Sequence, residues 1–205
     1  MAGGADSDCI GELIVSDCRR RELRLRKLSK FLALLLRHRP ARFPIRLDPQ
    51  GYADFADVMK VVQSLPNFRW VTHDDLDTVL NLPGRRRFEV VKDEFGALRI
   101  RALYGHTVVR PDYEPVAPPE ILYHGTAPEA LEAILREGIR PMQRHYVHLA
   151  ASSDIARSIA LRHTATPVIL RIDAAAAYAA GQAFYHPSNG IYLTAAVPAV
   201  YVESQ

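Results

Sequence analysis

Four prolines in the ten-residue stretch Arg110–Pro119 are the feature that most constrains how this chain of 205 residues can fold. Proline lacks a backbone N–H and fixes φ, so the stretch resists both a helix and a central strand. The stretch therefore predicts a boundary between two lobes. We expect a first lobe at residues 25–110, a linker at 111–119 and a second lobe at 120–205. Residues 1–24 are predicted to form a leader, whose mobility the sequence leaves open.

Electric charge divides the chain at the same place. Residues 19–110 hold 20 Lys and Arg against 10 Asp and Glu, whereas residues 118–205 hold 6 against 7. The formal net charge of +3 for the whole chain hides this asymmetry. A basic lobe joined to a nearly neutral one indicates that the first lobe holds a polyanion, and nucleic acid is the leading candidate.

The first lobe has the pattern of helices followed by a hairpin. Apolar residues at helical spacing over 28–36 predict a helix that stops before Pro40. Asp54 and Thr72 are suitable N-caps for two further helices. A glycine-bearing turn at 92–96 between alternating segments predicts the hairpin. Three helices and a basic hairpin resemble a winged-helix module, an architecture common in nucleic-acid binding.

The second lobe alternates strand-like and helical segments. Strands are predicted around residues 121–124, 146–149 and 167–172, with further short strands towards the end of the chain. Helices are predicted between them and at 174–180. We therefore expect an α+β fold: an N-terminal winged-helix lobe and a C-terminal lobe built on a mixed sheet.

Two arginine-rich clusters stand out in the basic lobe. Arg37-His38-Arg39 lies at the end of the first predicted helix, where the helix dipole favours cations, so ordinary terminal residues and an anion site both explain it. His38 could also act as a general acid near neutral pH. Arg85-Arg86-Arg87 enters the hairpin, where a solvated wing could touch phosphates without specificity.

Three segments of the second lobe are candidate ligand sites. His124-Gly125-Thr126 ends a strand, where glycine admits a ligand close to the backbone, although a plain strand-to-helix turn is the better explanation of these three residues alone. Arg144 opens the segment that leads to His148, and a lone histidine in a strand is usually structural. Asn189-Gly190 forms a turn whether or not it lines a site. No His, Asp or Glu set has the spacing of a helical zinc motif, so no metal is expected.

Other familiar patterns are missing from the sequence. GxSxG, GxGxxG and GxxxxGK[ST] do not occur, which argues against a serine hydrolase, a Rossmann site and a P-loop. Cys9 and Cys18 form no CxxC pair and are expected to be free thiols. No segment has the roughly 18 apolar residues of a membrane span, and residues 1–8 lack a signal pattern. We therefore expect a cytoplasmic protein that does not contact a membrane.

Short motifs in both lobes form one ordered series. They are Leu28–Leu32, Leu36–Pro40, Leu47–Asp54, Arg87–Glu89, Ile100–Ala102, Gly105–Thr107, Leu122–Thr126, Gly138–Met142, Arg144–Leu149, Pro167–Leu170 and Asn189–Thr194. In order and spacing this series resembles the NAD-dependent RNA 2′-phosphotransferase family, also called tRNA 2′-phosphotransferases. The resemblance extends over residues 25–203.

The resemblance implies a winged-helix RNA-binding lobe joined to an ADP-ribosyltransferase-like lobe that binds NAD. It implies that an internal RNA 2′-phosphate, of the kind left by one route of tRNA splicing, is transferred to NAD, which is consumed. The implied intermediate is a 2′-phospho-ADP-ribosylated RNA, and the products are 2′-hydroxyl RNA, ADP-ribose 1″,2″-cyclic phosphate and nicotinamide. A tRNA-like RNA is the expected partner, the protein is expected to be a monomer, and no metal is required.

The resemblance also implies roles for individual residues. It places the family's catalytic tetrad on Arg37, His38, Arg87 and Arg144. Arginine forks grip phosphate through paired hydrogen bonds and stabilise charge on phosphoryl oxygens, and His38 is the implied proton donor to the leaving 2′-oxygen. The implied contacts with NAD are His124, Gly125, Thr126, Ser152, Arg162, Asn189 and Gly190.

Two departures from the family pattern affect the implied adenosine side of the NAD site. Ala150 follows Leu149 where the family often has serine, so Ser152 or Ser153 is the alternative source of a hydroxyl, if one is needed. A glycine-bearing element of the family is replaced by residues 160–164.

Two other functions stay open. The same fold could leave ADP-ribose on a terminal phosphate of RNA or DNA, or a non-catalytic module could bind RNA alone. Binding alone requires basic residues but not a tetrad at these separate positions, which disfavours the second alternative.

Overall fold

The computed structural model describes residues 6–82 and 86–204, arranged as six α-helices and nine strands. The helices are α1 Asp6–Ala33, α2 Phe55–Ser64, α3 His73–Leu80, α4 Leu131–Glu137, α5 Ser153–Ala160 and α6 Ala174–Ala179. The strands are β1 Tyr52–Asp54, β2 Phe88–Lys92, β3 Leu98–Ala102, β4 Ile121–Thr126, β5 Val147–Ala150, β6 Val168–Asp173, β7 Tyr185–Ser188, β8 Ile191–Thr194 and β9 Val202–Ser204.

The first lobe packs helices α1, α2 and α3 on a three-stranded antiparallel sheet with strand order β1-β3-β2. Both expected N-caps form: the Asp54 carboxylate accepts from the N–H of Asp57, and Thr72 and Asp75 make a reciprocal capping box. The expected hairpin joins β2 to β3 through Gly96, which has a φ of 80°. Three helices followed by a hairpin are therefore present, and the winged-helix assignment stays a prediction.

Helix α1 starts earlier than the sequence pattern indicates. It begins at Asp6, so the predicted start of the first lobe at residue 25 falls inside the helix. Its apolar stripe, which includes Leu25, Leu28 and Leu32, is buried in the core of the lobe. Most of the predicted leader is thus helical, while Met1–Ala5 lie outside the described residues.

A π-helical turn, Leu34–His38, follows α1 directly. The N–H of Arg39 donates to the carbonyl of Leu34 over 2.9 Å, which closes the wide turn. The helix ends before Pro40, as the sequence predicts. The first arginine cluster therefore sits on a wide turn rather than on a regular α-helix.

The second lobe contains a six-stranded sheet with the order β7-β8-β5-β4-β6-β9. Every strand pair described in it is antiparallel, so the expectation of a mixed sheet is wrong. Apolar patterning marks where a strand lies but not the direction of its neighbour, which depends on how the connections cross the sheet. Helix α6 lies where a helix was expected and packs in the main core of this lobe through Ala174 and Ala177.

Direct contacts join the two lobes. Leu103 and Tyr104, just after β3, form one apolar cluster with Ile191 and Leu193 of β8. The Ser188 hydroxyl donates to the carbonyl of Arg86. The predicted linker also packs on the second lobe, because the N–H of its Val116 donates to the carbonyl of Phe184 over 2.8 Å. The lobes therefore hold residues from both halves of the chain at fixed positions.

Candidate phosphate-binding site between the lobes

Arg37 is a buried cation on the π-helical turn. Its side chain is 8% exposed, and its guanidinium carbon lies 4.8 Å from the ring centre of Tyr104 and 5.7 Å from that of Phe88. One guanidinium nitrogen donates weakly to the carbonyl of Arg87 over 3.4 Å, and Nε has no hydrogen-bond partner. The aromatic rings hold the guanidinium in place, but neither ring neutralises its charge.

The charge of Arg37 is unfavourable in this position. Burial is the main cause that lowers its pKa, Tyr104 opposes this effect, and the nearby charges of Arg144 and Arg87 add to it, so that the pKa is about 10. Arginine nevertheless stays protonated at neutral pH. A buried cation that faces other cations is costly unless an anion joins it.

Arg87 and Arg144 reach the same place from different lobes. Arg87 precedes β2 and donates to the Ser29 hydroxyl of α1 over 3.1 Å. Arg144 lies in the exposed loop before β5, and its charge lowers the pKa values of both Arg37 and His38. Across the described chain, none of the ion pairs with a carboxylate involves Arg37, Arg87 or Arg144. These three arginines therefore lie close enough to repel one another, and none of them is neutralised by an ion pair with a carboxylate in the described chain.

His38 lies beside this cluster. Its Nδ1 is 3.2 Å from the hydroxyl oxygen of Thr107. Burial lowers the pKa of His38 below its usual 6.5, and the charges of Arg37, Arg144 and Arg39 lower it further. In the free protein the ring is therefore mostly neutral at neutral pH. A bound dianion would counter these cations and favour the protonated ring.

The four residues of the implied tetrad thus lie together. Of the second arginine cluster, Arg85 lies outside the described residues. Arg86 is exposed, and its carbonyl accepts from the Ser188 hydroxyl of the second lobe, whereas the Arg87 side chain bonds Ser29 of α1.

The residues implied to contact NAD gather around α5. Gly125 lies in β4 directly under this helix, Ser152 caps its N-terminus, and Gly190 lies against its Ile155. Arg162 follows the other end of the helix and is exposed. Asn189 is exposed in the turn beside Gly190.

Gly125 has a structural reason to lack a side chain. A Cβ there would lie 2.7 Å from the Cβ of Ala160 and 2.8 Å from the carbonyl oxygen of Ala156. The close approach of α5 therefore requires glycine, which the sequence analysis explained by the approach of a ligand. Ser152 likewise has a local role, because its hydroxyl accepts from the N–H of Ile155 over 3.3 Å. Its hydroxyl hydrogen remains available to another acceptor.

Two residues that the sequence analysis did not emphasise connect these groups. The Nδ1–H of His124 donates to the carbonyl of His148 over 3.1 Å. The ring of His148 lies 5.9 Å from that of Tyr104, which in turn covers Arg37. Burial, followed by the charges of Arg144 and Arg37, lowers the pKa of His148 to about 3, so its ring is neutral. His148 and Tyr104 therefore link His124, which the resemblance implies to contact NAD, to Arg37 of the implied tetrad.

Gly105 is the signal that could have identified Tyr104. This glycine has a φ of 84°, and a Cβ there would lie 3.4 Å from Nη1 of Arg37. Its conformation turns the chain so that Tyr104 lies under the arginine and His106 enters the interior.

His106 is buried, and neither of its ring nitrogens has a hydrogen-bond partner. Its pKa is lowered to about 4, mainly by burial and then by the charge of Arg37. A small pocket lined by His106, Arg144 and His148 adjoins the tetrad.

The described residues contain no group of three or more His, Cys, Asp or Glu placed to hold a metal ion. No helix in the described part of the chain is long and apolar enough to cross a membrane.

Fold and site together define a class: a protein with a basic helical lobe and an antiparallel-sheet lobe, which meet at a cluster of arginines without carboxylate partners. Comparison with known proteins makes the assignment specific. The model of the RNA 2′-phosphotransferase, Tpt1/KptA family matches residues 23–196, and the chain belongs to this family.

Individual relatives match over almost their whole length. A probable RNA 2′-phosphotransferase of Agrobacterium fabrum is 42% identical over 177 residues, which is 85% of this chain and 91% of that protein. Proteins with the same description from Hahella chejuensis and Fusobacterium nucleatum are 40% and 34% identical over 87% and 86% of this chain, and over 94% and 97% of their own lengths. The family and these relatives support an enzyme rather than a binding module.

Proposed function

We propose that this protein transfers an internal 2′-phosphate from RNA to NAD, leaving RNA with a 2′-hydroxyl. The observation that carries the proposal is that Arg37, Arg87 and Arg144 converge without a bonded carboxylate. A phosphate monoester supplies the missing negative charge and offers oxygens to several guanidinium forks at once. Family membership identifies RNA as its source.

The three arginines bind and orient the phosphoryl group. They belong to both lobes, so the phosphate is held where the RNA-binding and NAD-binding surfaces meet. Because the protein fixes their positions, they stabilise charge on the phosphoryl oxygens without reorganising during the reaction.

His38 moves a proton at the RNA ribose. The bound phosphate offsets the cations that lower the pKa of the free ring, so the ring gains a proton when substrate binds. As the bond between phosphorus and the 2′-oxygen breaks, His38 donates its proton to that oxygen.

The residues around α5 fit NAD in the chemistry of their donors and acceptors. The Ser152 and Thr126 hydroxyls and the free ring nitrogen of His124 suit ribose hydroxyls, and Arg162 suits a pyrophosphate. Bound NAD would supply a ribose carbon that loses nicotinamide as a phosphate oxygen bonds to it, and a neighbouring hydroxyl that accepts the phosphoryl group. The chain's own contribution is to place these groups beside the tetrad.

The test uses the full chain, NAD and an oligoribonucleotide with one internal 2′-phosphate. We expect equal amounts of 2′-hydroxyl RNA, nicotinamide and ADP-ribose 1″,2″-cyclic phosphate. An oligonucleotide with only a terminal phosphate tests the alternative acceptor. Arg87→Gln should abolish turnover, whereas Arg69→Gln, on the exposed surface of the same lobe, should not. Absence of turnover at micromolar enzyme would refute the proposal.

A further inference from the structure

Thr107 contacts two consecutive residues of the implied tetrad: the main chain of Arg37 and the side chain of His38. Its backbone N–H donates to the carbonyl of Arg37 over 3.0 Å. Its hydroxyl oxygen lies 3.2 Å from the same carbonyl oxygen and 3.2 Å from Nδ1 of His38. Thr107 comes from the segment after β3, whereas both partners belong to the π-helical turn. One side chain thus ties a distant segment to the position of His38.

The hydrogens available at the Thr107 hydroxyl, the Arg37 carbonyl and Nδ1 of His38 determine which of these groups donates to which. A hydroxyl carries one hydrogen, and a carbonyl oxygen can only accept. If the Thr107 hydroxyl donated to His38, its oxygen would face the Arg37 carbonyl oxygen without a hydrogen between them. Both contacts are satisfied only when the hydroxyl donates to Arg37 and accepts from Nδ1–H of His38.

We propose that Thr107 is a positioning residue that keeps the neutral His38 ring in its Nδ1–H tautomer, so that Nε2 is the nitrogen that exchanges the catalytic proton. The tautomer follows from these contacts alone, while its consequence for catalysis rests on the proposed function. Which ring nitrogen carries the hydrogen is set by the hydrogen bond of the other.

The same hydrogen bond serves both protonation states of His38. The protonated ring has hydrogens on both nitrogens, and its Nδ1–H still donates to Thr107. Nε2 gives its proton to the 2′-oxygen of RNA, which keeps the electron pair of its broken bond to phosphorus. The ribose hydroxyl that bonds to phosphorus would give its own proton to solvent water, so the proton count of the step balances. His38 remains as the Nδ1–H tautomer without any movement of its ring.

Thr107→Val separates this role from a purely structural one. Valine has nearly the same shape as threonine and keeps the backbone N–H bond to Arg37, but it lacks the hydroxyl. Thr107→Ser restores the hydroxyl without the methyl group. Thr78→Val is the matched control, since the Thr78 hydroxyl only donates to the carbonyl of Asp74 within α3.

The tautomer is measured by nitrogen-15 NMR of the histidine rings above the pKa of His38, with the signals assigned by comparison with His38→Gln. We expect the wild type and Thr107→Ser to carry the hydrogen on Nδ1, and Thr107→Val to lose that preference. A neutral wild-type ring with its hydrogen on Nε2 overturns the proposal, whether or not the protein is active.

Kinetics give the second readout. With 2′-phosphorylated RNA, Thr107→Val should lower kcat by about 10- to 100-fold, the range for a hydrogen bond to a charged group. The KM for RNA should change little, because the arginines that bind phosphate are intact. Thr107→Ser should recover most of kcat, and Thr78→Val should match the wild type. A loss of kcat in Thr107→Val without a change of tautomer overturns the proposal, and an inactive wild type refutes the proposed function instead.

Discussion

Replacing Arg37 by methionine should stabilise the protein while abolishing its activity. The pKa of Arg37 is lowered from the ordinary value of arginine to about 10, which corresponds to a penalty of about 3 kcal/mol on the charged form in the folded protein. Because the folded pKa is the lower one, the whole penalty acts at neutral pH and is relieved only as the pH rises through 10 towards the ordinary pKa of arginine. Removing the cation removes this penalty.

The gain is partly offset by lost contacts. The guanidinium stacks 4.8 Å from the centre of the Tyr104 ring, an interaction worth about 1–2 kcal/mol when desolvated. A net gain of about 1–2 kcal/mol in the free energy of unfolding remains, which agrees in sign with the replacement of other buried ionic groups by apolar ones. For a chain of this length the gain corresponds to a rise in Tm of about 2–8 °C.

Thermal and urea unfolding measure this effect, and Arg101→Met is the matched control. Arg101 is also mostly buried, but it donates to the Glu89 carboxylate over 2.6 Å. Its loss leaves a carboxylate without its partner, so the Tm should fall. If Arg37→Met lowers the Tm by as much as Arg101→Met, Arg37 holds the fold together and the reasoning about an unpaired cation is wrong.

Three further predictions test other parts of the site. Arg39→Gln removes a cation that lowers the pKa of His38, so this pKa should rise. The alkaline limb of the pH profile of kcat/KM should therefore move to higher pH, and an unchanged limb would contradict the assignment of His38 as the acid. Replacing Arg19 and Lys30 on the exposed face of α1 by glutamine should weaken RNA binding, with little dependence on RNA sequence. The slope of log K against log salt concentration should become shallower by about 1 per lost phosphate contact. An unchanged slope would place the RNA elsewhere. Gly125→Ala should lower the free energy of unfolding by about 1–3 kcal/mol in a denaturant titration, because its methyl group would overlap α5, and unchanged stability would contradict this account of the glycine.

Local chemistry predicted much of the fold. The caps at Asp54 and Thr72, the stop before Pro40 and the glycine turn of the hairpin depend on residues close together in sequence, and all of them form as expected. The direction of the strands in the second sheet depends on long-range pairing, so the pattern of apolar residues did not reveal it.

The candidate site shows the same division. Charge and motif spacing singled out the arginines, because an anion site requires cations wherever the chain brings them together. Tyr104 and Thr107 were not singled out, because their importance comes from the contacts they make with Arg37 and His38 about 70 residues earlier. The adjacent Gly105 marks an unusual turn, but nothing in the local sequence shows which distant residues Tyr104 and Thr107 contact.

The wide turn at Leu34–His38 determines the direction in which the side chains of Arg37 and His38 point. A π turn contains one residue more than an α-helical turn, while the helix before it and the proline after it keep their places. If the same residues continued as a regular α-helix, the side chains of Arg37 and His38 would be rotated by about 100° about the helix axis. The buried leucines of α1 that precede the turn would keep their places, but the guanidinium and the imidazole would no longer face the partners that they meet from the π turn.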